Sequence, residues 1–381
     1  MAAESVSADE DTGEGPRYIL PPPATTYGKQ PGEPLTPVET MVWQKITSLL
    51  GDSCVLDGSL VRAARKHAVD LTENPSMSQE NGIDYLRFAL RYFGSPDYLV
   101  SPAVFELDGH GDDSLAEVVG RARVDWTHCG IGVHVSGGRQ QAVFIAATRV
   151  LSLKPIPVQP QPGRTIDVRG TIASPDGSDV DAFLEAPDGS VQQLKTFVVG
   201  ARQFQISVPV KDVGTYKLEL QVTRQSGPET ALLVPLYVGV DVELRPHVFP
   251  AAAAADGDPK AVMTGLLNRI RQNLGLPPLQ RDKRLDSVAQ QHCEDMVRTA
   301  TFGHFSKRSG TLSDRLQAHR LYPRLSAENI GRSSTMMRVH HNLMQSPSHK
   351  IKVLTPEFTH LGLGIVIRDG STSVTQVFTA W

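Results

Sequence analysis

A seven-residue phrase occurs twice in this chain, almost letter for letter: Thr127-His128-Cys129-Gly130-Ile131-Gly132-Val133 returns as Thr359-His360-Leu361-Gly362-Leu363-Gly364-Ile365. Downstream of the two copies, Gln141-Ala142-Val143-Phe144 echoes Thr375-Gln376-Val377-Phe378. Upstream, the helical pattern Leu60–Leu71 matches Leu285–Met296, with Leu, Ala or Val, His and Asp at the same intervals. Matched motifs in one order at similar separations are an internal repeat, of domain rather than solenoid size. The pattern predicts that residues 37–150 are a second, degenerate copy of residues 259–381.

A chain of 381 residues is long for one domain, and two or three are expected. A formal net charge of −3 argues against a nucleic-acid partner, because phosphate recognition needs concentrated Lys and Arg. There is no run of about eighteen apolar residues, so no transmembrane helix is predicted. The acidic, polar beginning has none of the basic and apolar regions of a signal peptide. The three cysteines, Cys54, Cys129 and Cys293, have no metal-ligand spacing. A Cys54–Cys129 bridge is open to an oxidising compartment, but three buried free thiols is the reading taken.

Residues 1–36, with Asp9-Glu10-Asp11 and Pro21-Pro22-Pro23, read as a disordered leader. From 37 onward Val42, Ile46 and Leu49-Leu50 recur at helical spacing, with Gly51 as the stop. The stretch 151–160 reads as a stiff extended connector. Across 151–245, short alternating runs recur between turn residues: Thr165–Gly170, Val180–Leu184, Phe204–Val208, Gly214–Val222 and Leu232–Val238. That is the pattern of an all-β, immunoglobulin-like sandwich. Ala251–Ala255 followed by Asp-Gly-Asp marks a linker over 246–258.

In the last third, Val262, Leu266, Leu267 and Ile270 predict one face of a helix that stops at Gly275. A second amphipathic helix over Leu285–Thr299 carries His292 on its apolar stripe, where a hydrogen-bonded core histidine is expected. Then come Phe302-Gly303-His304-Phe305-Ser306, Ala327-Glu328-Asn329-Ile330 and Ser346-Pro347-Ser348-His349. With the two strand motifs that follow, this ordered set resembles the CAP superfamily of cysteine-rich secretory, antigen-five and pathogenesis-related proteins. It looks closest to the bacterial, SCP-like branch without the family's disulfides. Departures are Ala327 for the usual Gly, Ser348 for Gly, Lys350 for Arg and Leu343 for Trp. Ser373 stands where animal and plant members carry a histidine, and bacterial members draw their second histidine from the Ser-Pro-x-His segment.

The fold class that follows is α+β: an α/β/α sandwich with a small antiparallel sheet at the C-terminus, a degenerate CAP-like domain at 37–150 and the β-sandwich between. In the N-terminal copy Gln79 stands about where His304 would, nothing corresponds to the Glu328 motif, and no Ser-Pro-x-His precedes Thr127. The resemblance places His304, Glu328 and His349 in one cleft. Two imidazoles and a carboxylate could complete a three-ligand site for a divalent metal such as Zn, or act as base and orienting groups, or only fix the fold. Ser306, Ser346 and Ser348 come without a Gly-x-Ser-x-Gly elbow, so nucleophilic catalysis carries little weight. His340 and His341 read as histidines on a helix surface. The resemblance implies a protein secreted or held in the periplasm or outer envelope, with its export signal absent from the sequence. Its role would be to bind a lipid-like, glycan or protein ligand, against the rivals of a metal-assisted hydrolase on peptide, ester or glycan and a pure scaffold.

Overall fold

A computed structural model describes residues 20–50, 54–74, 79–107, 126–136, 139–200, 202–225, 227–249 and 257–381. The chain divides into two compact units, one built from most of the first 148 residues and one from Arg149–Trp381 with the short segments Thr25–Gly28 and Pro96–Leu99.

The stretch read as a disordered leader corrects part of that expectation. β1 (Thr26–Tyr27) pairs antiparallel within the second unit, and Tyr27 is 1% exposed with its hydroxyl donating to Pro235 O at 2.9 Å. One aromatic ring with a satisfied hydroxyl gives this short segment the apolar burial that its composition lacks. Residues 1–19 lie outside the described residues.

In the first unit α1 (Pro37–Leu50) buries Val42 and Ile46, whereas Leu49 faces out; Gly51 lies outside the described residues. β2 (Val55–Leu56) leads into α2 (Gly58–Glu73), whose Asp57 cap accepts from the Ser59 and Leu60 N–H groups. α3 (Gln79–Tyr92), β3 (Val100–Glu106), β4 (His128–Ser136) and β5 (Arg139–Ala147) complete it. The sheet order is β2-β4-β5-β3, with only the short β2–β4 pair parallel. That parallel pair sets Leu56 against Cys129 and brings Cys54 within a Cα–Cα distance of 5.8 Å, where a Cys54–Cys129 disulfide forms. The expectation of three free thiols is therefore corrected: only Cys293 is free, and it is buried.

The second unit begins with β6 (Leu151–Leu153) and β7 (Ile156–Pro157), so the expected connector is part of the core: Leu151, Ile156 and Val158 are buried. β8 (Arg164–Ile172), β9 (Val180–Glu185), β10 (Val191–Leu194), β11 (Thr196–Val199), β12 (Gln203–Val210), β13 (Gly214–Arg224) and β14 (Gly227–Val238) follow. They form two sheets, β10-β9-β13-β14 and β11-β12-β8-β6. Val168, Ile206, Leu218, Leu220 and Leu236 meet in one apolar layer, the expected sandwich.

The C-terminal third starts with α4 (Pro259–Asn273), capped by Asp258 with Pro259 in its first turn. Its buried stripe is Met263, Leu267 and Arg271, one step round from the predicted face. The alanine run Ala251–Ala255 that precedes it lies outside the described residues. β15 (Gln280–Arg281), α5 (Lys283–Arg298), α6 (Leu312–Ala318), β16 (Leu325–Ser333), α7 (Met336–Gln345), α8 (Pro347–Leu354), β17 (His360–Arg368) and β18 (Ser371–Ala380) complete the chain. The sheet order is β15-β17-β18-β16. α4, α7 and α8 pack on the Leu361, Leu363, Val374 and Phe378 face, and α5 and α6 pack on the other side with Val377. The sheet is mixed rather than wholly antiparallel, because β15–β17 is parallel.

The two sheets share order and strand directions, but their ladders correct the sequence match. Ile145 lies opposite Gly130 and Val377 opposite Gly362, so Val143-Phe144 and Val377-Phe378 are two residues out of structural step. Pro102 pairs with Ile145 where Glu328 pairs with Val377. A further correspondence explains the repeated glycines. A Cβ at Gly130 or Gly132 would overlap the α2 backbone at Leu60 or Arg65, and one at Gly362 or Gly364 would overlap α5 at Leu285 or Ala289. Gly364→Ala should therefore destabilise the second unit by about 2 kcal/mol, measured as a lower urea midpoint; an unchanged midpoint would show that helix and sheet separate without cost.

Candidate functional site

The second unit holds the candidate site at the end of α5 and along β16. Thr311 and Asp314 make a capping box on α6, which turns Arg315 inward until it is 4% exposed. Its Nη2 donates to Glu328 Oε2 at 2.6 Å, and its Nη1 donates to the carbonyls of His304 and Gly310. Glu328, 5% exposed on β16, uses its other oxygen to accept from His304 Nδ1 at 2.9 Å. Burial alone would raise the Glu328 carboxyl, but the His304 hydrogen bond and the Arg315 charge outweigh it and hold it below the usual range.

The loop carrying His304 is fixed from behind. His292, fully buried, has Nε2 3.1 Å from Gly303 O and 3.8 Å from Glu328 Oε1. Burial lowers its pKa more than Glu328 raises it, so it sits as a neutral core imidazole that donates to the loop. Ser306 donates to Asp295 Oδ2 and accepts from the Arg308 and Ser309 N–H groups, which closes the turn beyond His304.

His349 lies in the first turn of α8 and does not touch Glu328. Its Nδ1 is 2.6 Å from Ser346 Oγ, and its carbonyl accepts from Asn329 Nδ2 at 3.0 Å. Burial, then the Lys352 ammonium and the nearby His304, hold its pKa well below the ordinary value. Lys352 is itself lowered by burial, against the pull of Glu219 and Glu328, and donates to Glu328 O at 3.1 Å. Gly227, in the β13–β14 hairpin of the sandwich, lies beside His304, with a Cβ built there 3.7 Å from His304 Cβ.

The trio does not fit a three-ligand metal centre. Both Glu328 oxygens are occupied, one of them by a guanidinium, and His349 stands apart from the carboxylate. Among the described residues no group of three or more His, Cys, Asp or Glu side chains is arranged to hold a metal ion. Among the described residues no hydrogen bond engages Nε2 of His304 or Nε2 of His349.

The sequence model of the cysteine-rich secretory protein family, CAP, matches residues 264–379, the segment that carries this geometry. The C-terminal domain is a CAP domain. Over 102 residues the chain is 34% identical to "Uncharacterized protein YkwD" of Bacillus subtilis, covering 26% of this chain and 40% of that one. Over 133 residues it is 30% identical to "Uncharacterized membrane protein YlbC" of the same organism, covering 33% and 38%. The chain thus spans about two fifths of the length of these relatives. Among solved structures it is similar to an extracellular SCP-domain protein from Bacillus anthracis, at 19% identity, 57% and 82% coverage and a TM-score of 0.30. An outer surface protein from Borrelia burgdorferi matches at 19% identity, 34% and 98% coverage and a TM-score of 0.31.

Within the CAP domain, sequence reading missed Arg315 and Asn329, and Glu219 from the sandwich. Arg315 directly follows the capping box Thr311-Leu312-Ser313-Asp314, and nothing in that motif marks the next residue as buried. His340 is also corrected: its Nδ1 is buried, and burial lowers its pKa to about 4, while the His341 ring lies 4.5 Å from that of Phe249. In the first unit His67 is likewise lowered to about 4, by burial and then by Lys66. Unfolded, both would titrate near their ordinary value of 6.5. A depressed folded pKa contributes stability that is complete above pH 6.5 and is lost as pH falls towards about 4. The thermal midpoint of the full chain should fall across that interval; a flat profile would contradict the buried, neutral state of both rings.

Proposed function

We propose that this is an exported protein whose CAP domain binds a ligand of the envelope or extracellular space through the cleft at His304, Glu328 and His349. The observation that carries this reading is where the reactive groups are spent. Glu328 is committed to orienting His304 and holding Arg315, which leaves an imidazole Nε2 as the group offered to a visitor. An imidazole held this way presents its Nε2 edge to a polar group of the ligand. Phe302 and Phe305, 46% and 53% exposed, flank His304 and suit the apolar body of a lipid-like, glycan or protein ligand. Hydrolysis is less well supported: the Ser306, Ser346 and Ser348 hydroxyls are each engaged by a carboxylate rather than poised for attack.

Export is supported by the Cys54–Cys129 bridge, which persists in oxidising compartments. No helix among the described residues is long and apolar enough to cross a membrane. We read the first unit as a degenerate CAP-like copy joined through the sandwich. The test is a ligand panel of lipid vesicles, envelope glycans and peptides, titrated into protein carrying 15N-labelled histidine. A binder should shift the His304 and His349 Nε2 signals; saturable binding that moves neither would refute the cleft as its site.

A further inference from the structure

The β-sandwich contributes a buried carboxylate to the CAP domain, 127 residues away in sequence from the serine it meets. Strand β13 alternates Leu218, Leu220 and Val222 into the sandwich core, so Glu219 and Gln221 stand on the outer face. Yet Glu219 is fully buried and Gln221 is 8% exposed, because α8 covers them. Glu219 Oε2 accepts from Ser348 N at 2.8 Å and Ser346 Oγ at 2.9 Å, and Oε1 accepts from Thr230 Oγ1 at 2.7 Å and Ser348 Oγ at 2.9 Å. The carboxylate therefore closes the N-terminal turn of α8, whose own cap residue Ser346 makes no side-chain capping bond.

Counting protons along this chain of contacts fixes the state of His349. Ser346 donates its single hydroxyl proton to Glu219 Oε2 at 2.9 Å. Ser348 likewise donates to Glu219 and accepts from Gln221 Nε2 at 2.7 Å. Ser346 Oγ, its proton spent, can only accept at its 2.6 Å contact with His349 Nδ1. The hydrogen on His349 must then sit on Nδ1. We propose that Glu219 is a positioning residue of the CAP cleft: acting through Ser346, it holds His349 in the Nδ1–H tautomer and leaves Nε2 as a bare acceptor. Glu328 holds His304 from the same side of the ring directly, through the 2.9 Å contact with Nδ1. Both imidazoles are thus held through Nδ1, one by the CAP domain and the other by the sandwich. The importance of this for binding rests on the reading of the cleft given above; the tautomer itself does not. The low pKa of His349 agrees with a neutral ring.

The test is a long-range 1H–15N correlation spectrum of the full chain with 15N-labelled histidine at neutral pH, with His349 assigned by its loss in His349→Asn. The wild type should show a protonated, pyrrole-type Nδ1 and a pyridine-type Nε2. Glu219→Gln keeps the shape but lets an amide donate to Ser346, which frees the serine hydroxyl to donate to Nδ1. The two 15N shifts should then exchange types or average. Ser346→Ala asks the same question if Glu219→Gln does not fold. Glu185→Gln, which removes the neighbouring carboxylate paired with Lys350 and Lys217, should leave the pattern unchanged. A wild-type His349 already protonated on Nε2, or a pattern unmoved in folded Glu219→Gln, would overturn the proposal. No ligand enters this measurement, so failure to find a binder would refute the binding reading and leave this one standing.

Discussion

Arg271→Leu should lower the unfolding free energy of the second unit by about 4 kcal/mol, seen as a large drop in the urea midpoint. Arg271 has no exposed surface, and its partners are all backbone oxygens. Nε donates to Pro277 O at 2.7 Å, Nη1 to Val353 O and Thr355 O at 2.8 and 2.9 Å, and Nη2 to Phe358 O at 3.2 Å. These carbonyls belong to the turn after α4, the end of α8 and the entry to β17, so one guanidinium ties three chain segments together. Leucine would restore the apolar stripe yet leave buried carbonyls without donors, each costing about 1–3 kcal/mol. Burial alone lowers the Arg271 pKa, but an arginine stays charged over any working pH. Arg271→Lys should recover part of the loss; an effect of Arg271→Leu below about 1 kcal/mol would mean that water reaches those oxygens.

Glu328→Ala should cost about 3–5 kcal/mol, the range for breaking a buried ion pair from one side. The partner left behind, Arg315, has a side chain only 3% exposed and keeps two carbonyl bonds that cannot neutralise its charge. Arg315→Leu in the Glu328→Ala background should cost far less than the sum of the single changes, since no charge is then stranded. A double-mutant cycle on denaturant midpoints reads this coupling directly. Additive costs would place the guanidinium in contact with solvent and remove the basis for a committed Glu328.

Arg271 and Glu219 mark where sequence reading stops. The periodicity of α4 was visible, but its buried stripe passes through Arg271, which any hydrophobic pattern assigns to solvent. Glu219 was invisible for the same reason: strand alternation puts it on the outer face, and only a partner from a distant segment makes that face buried. The disulfide and the burial of Tyr27 also depend on short strand pairings between remote segments, which local composition does not encode. Where the signal was local, it carried through. The helical patterns at Leu60–Leu71 and Leu285–Met296 form α2 and α5, and the repeated strand phrase forms β4 and β17. His304 and Glu328, read from motif order, meet at 2.9 Å. His349 was placed in the same trio but is held by Ser346, and the three-ligand metal reading fails on that difference.

The most direct measurement of the central claim compares wild-type, His304→Ala and His349→Ala full chains for capture and turnover on the same panel of vesicles, envelope glycans, peptides and esters. A binding cleft predicts capture by the wild type, loss of it in both folded variants, and no turnover by any of them. Capture that survives both substitutions, or turnover that vanishes with His304→Ala, would contradict it.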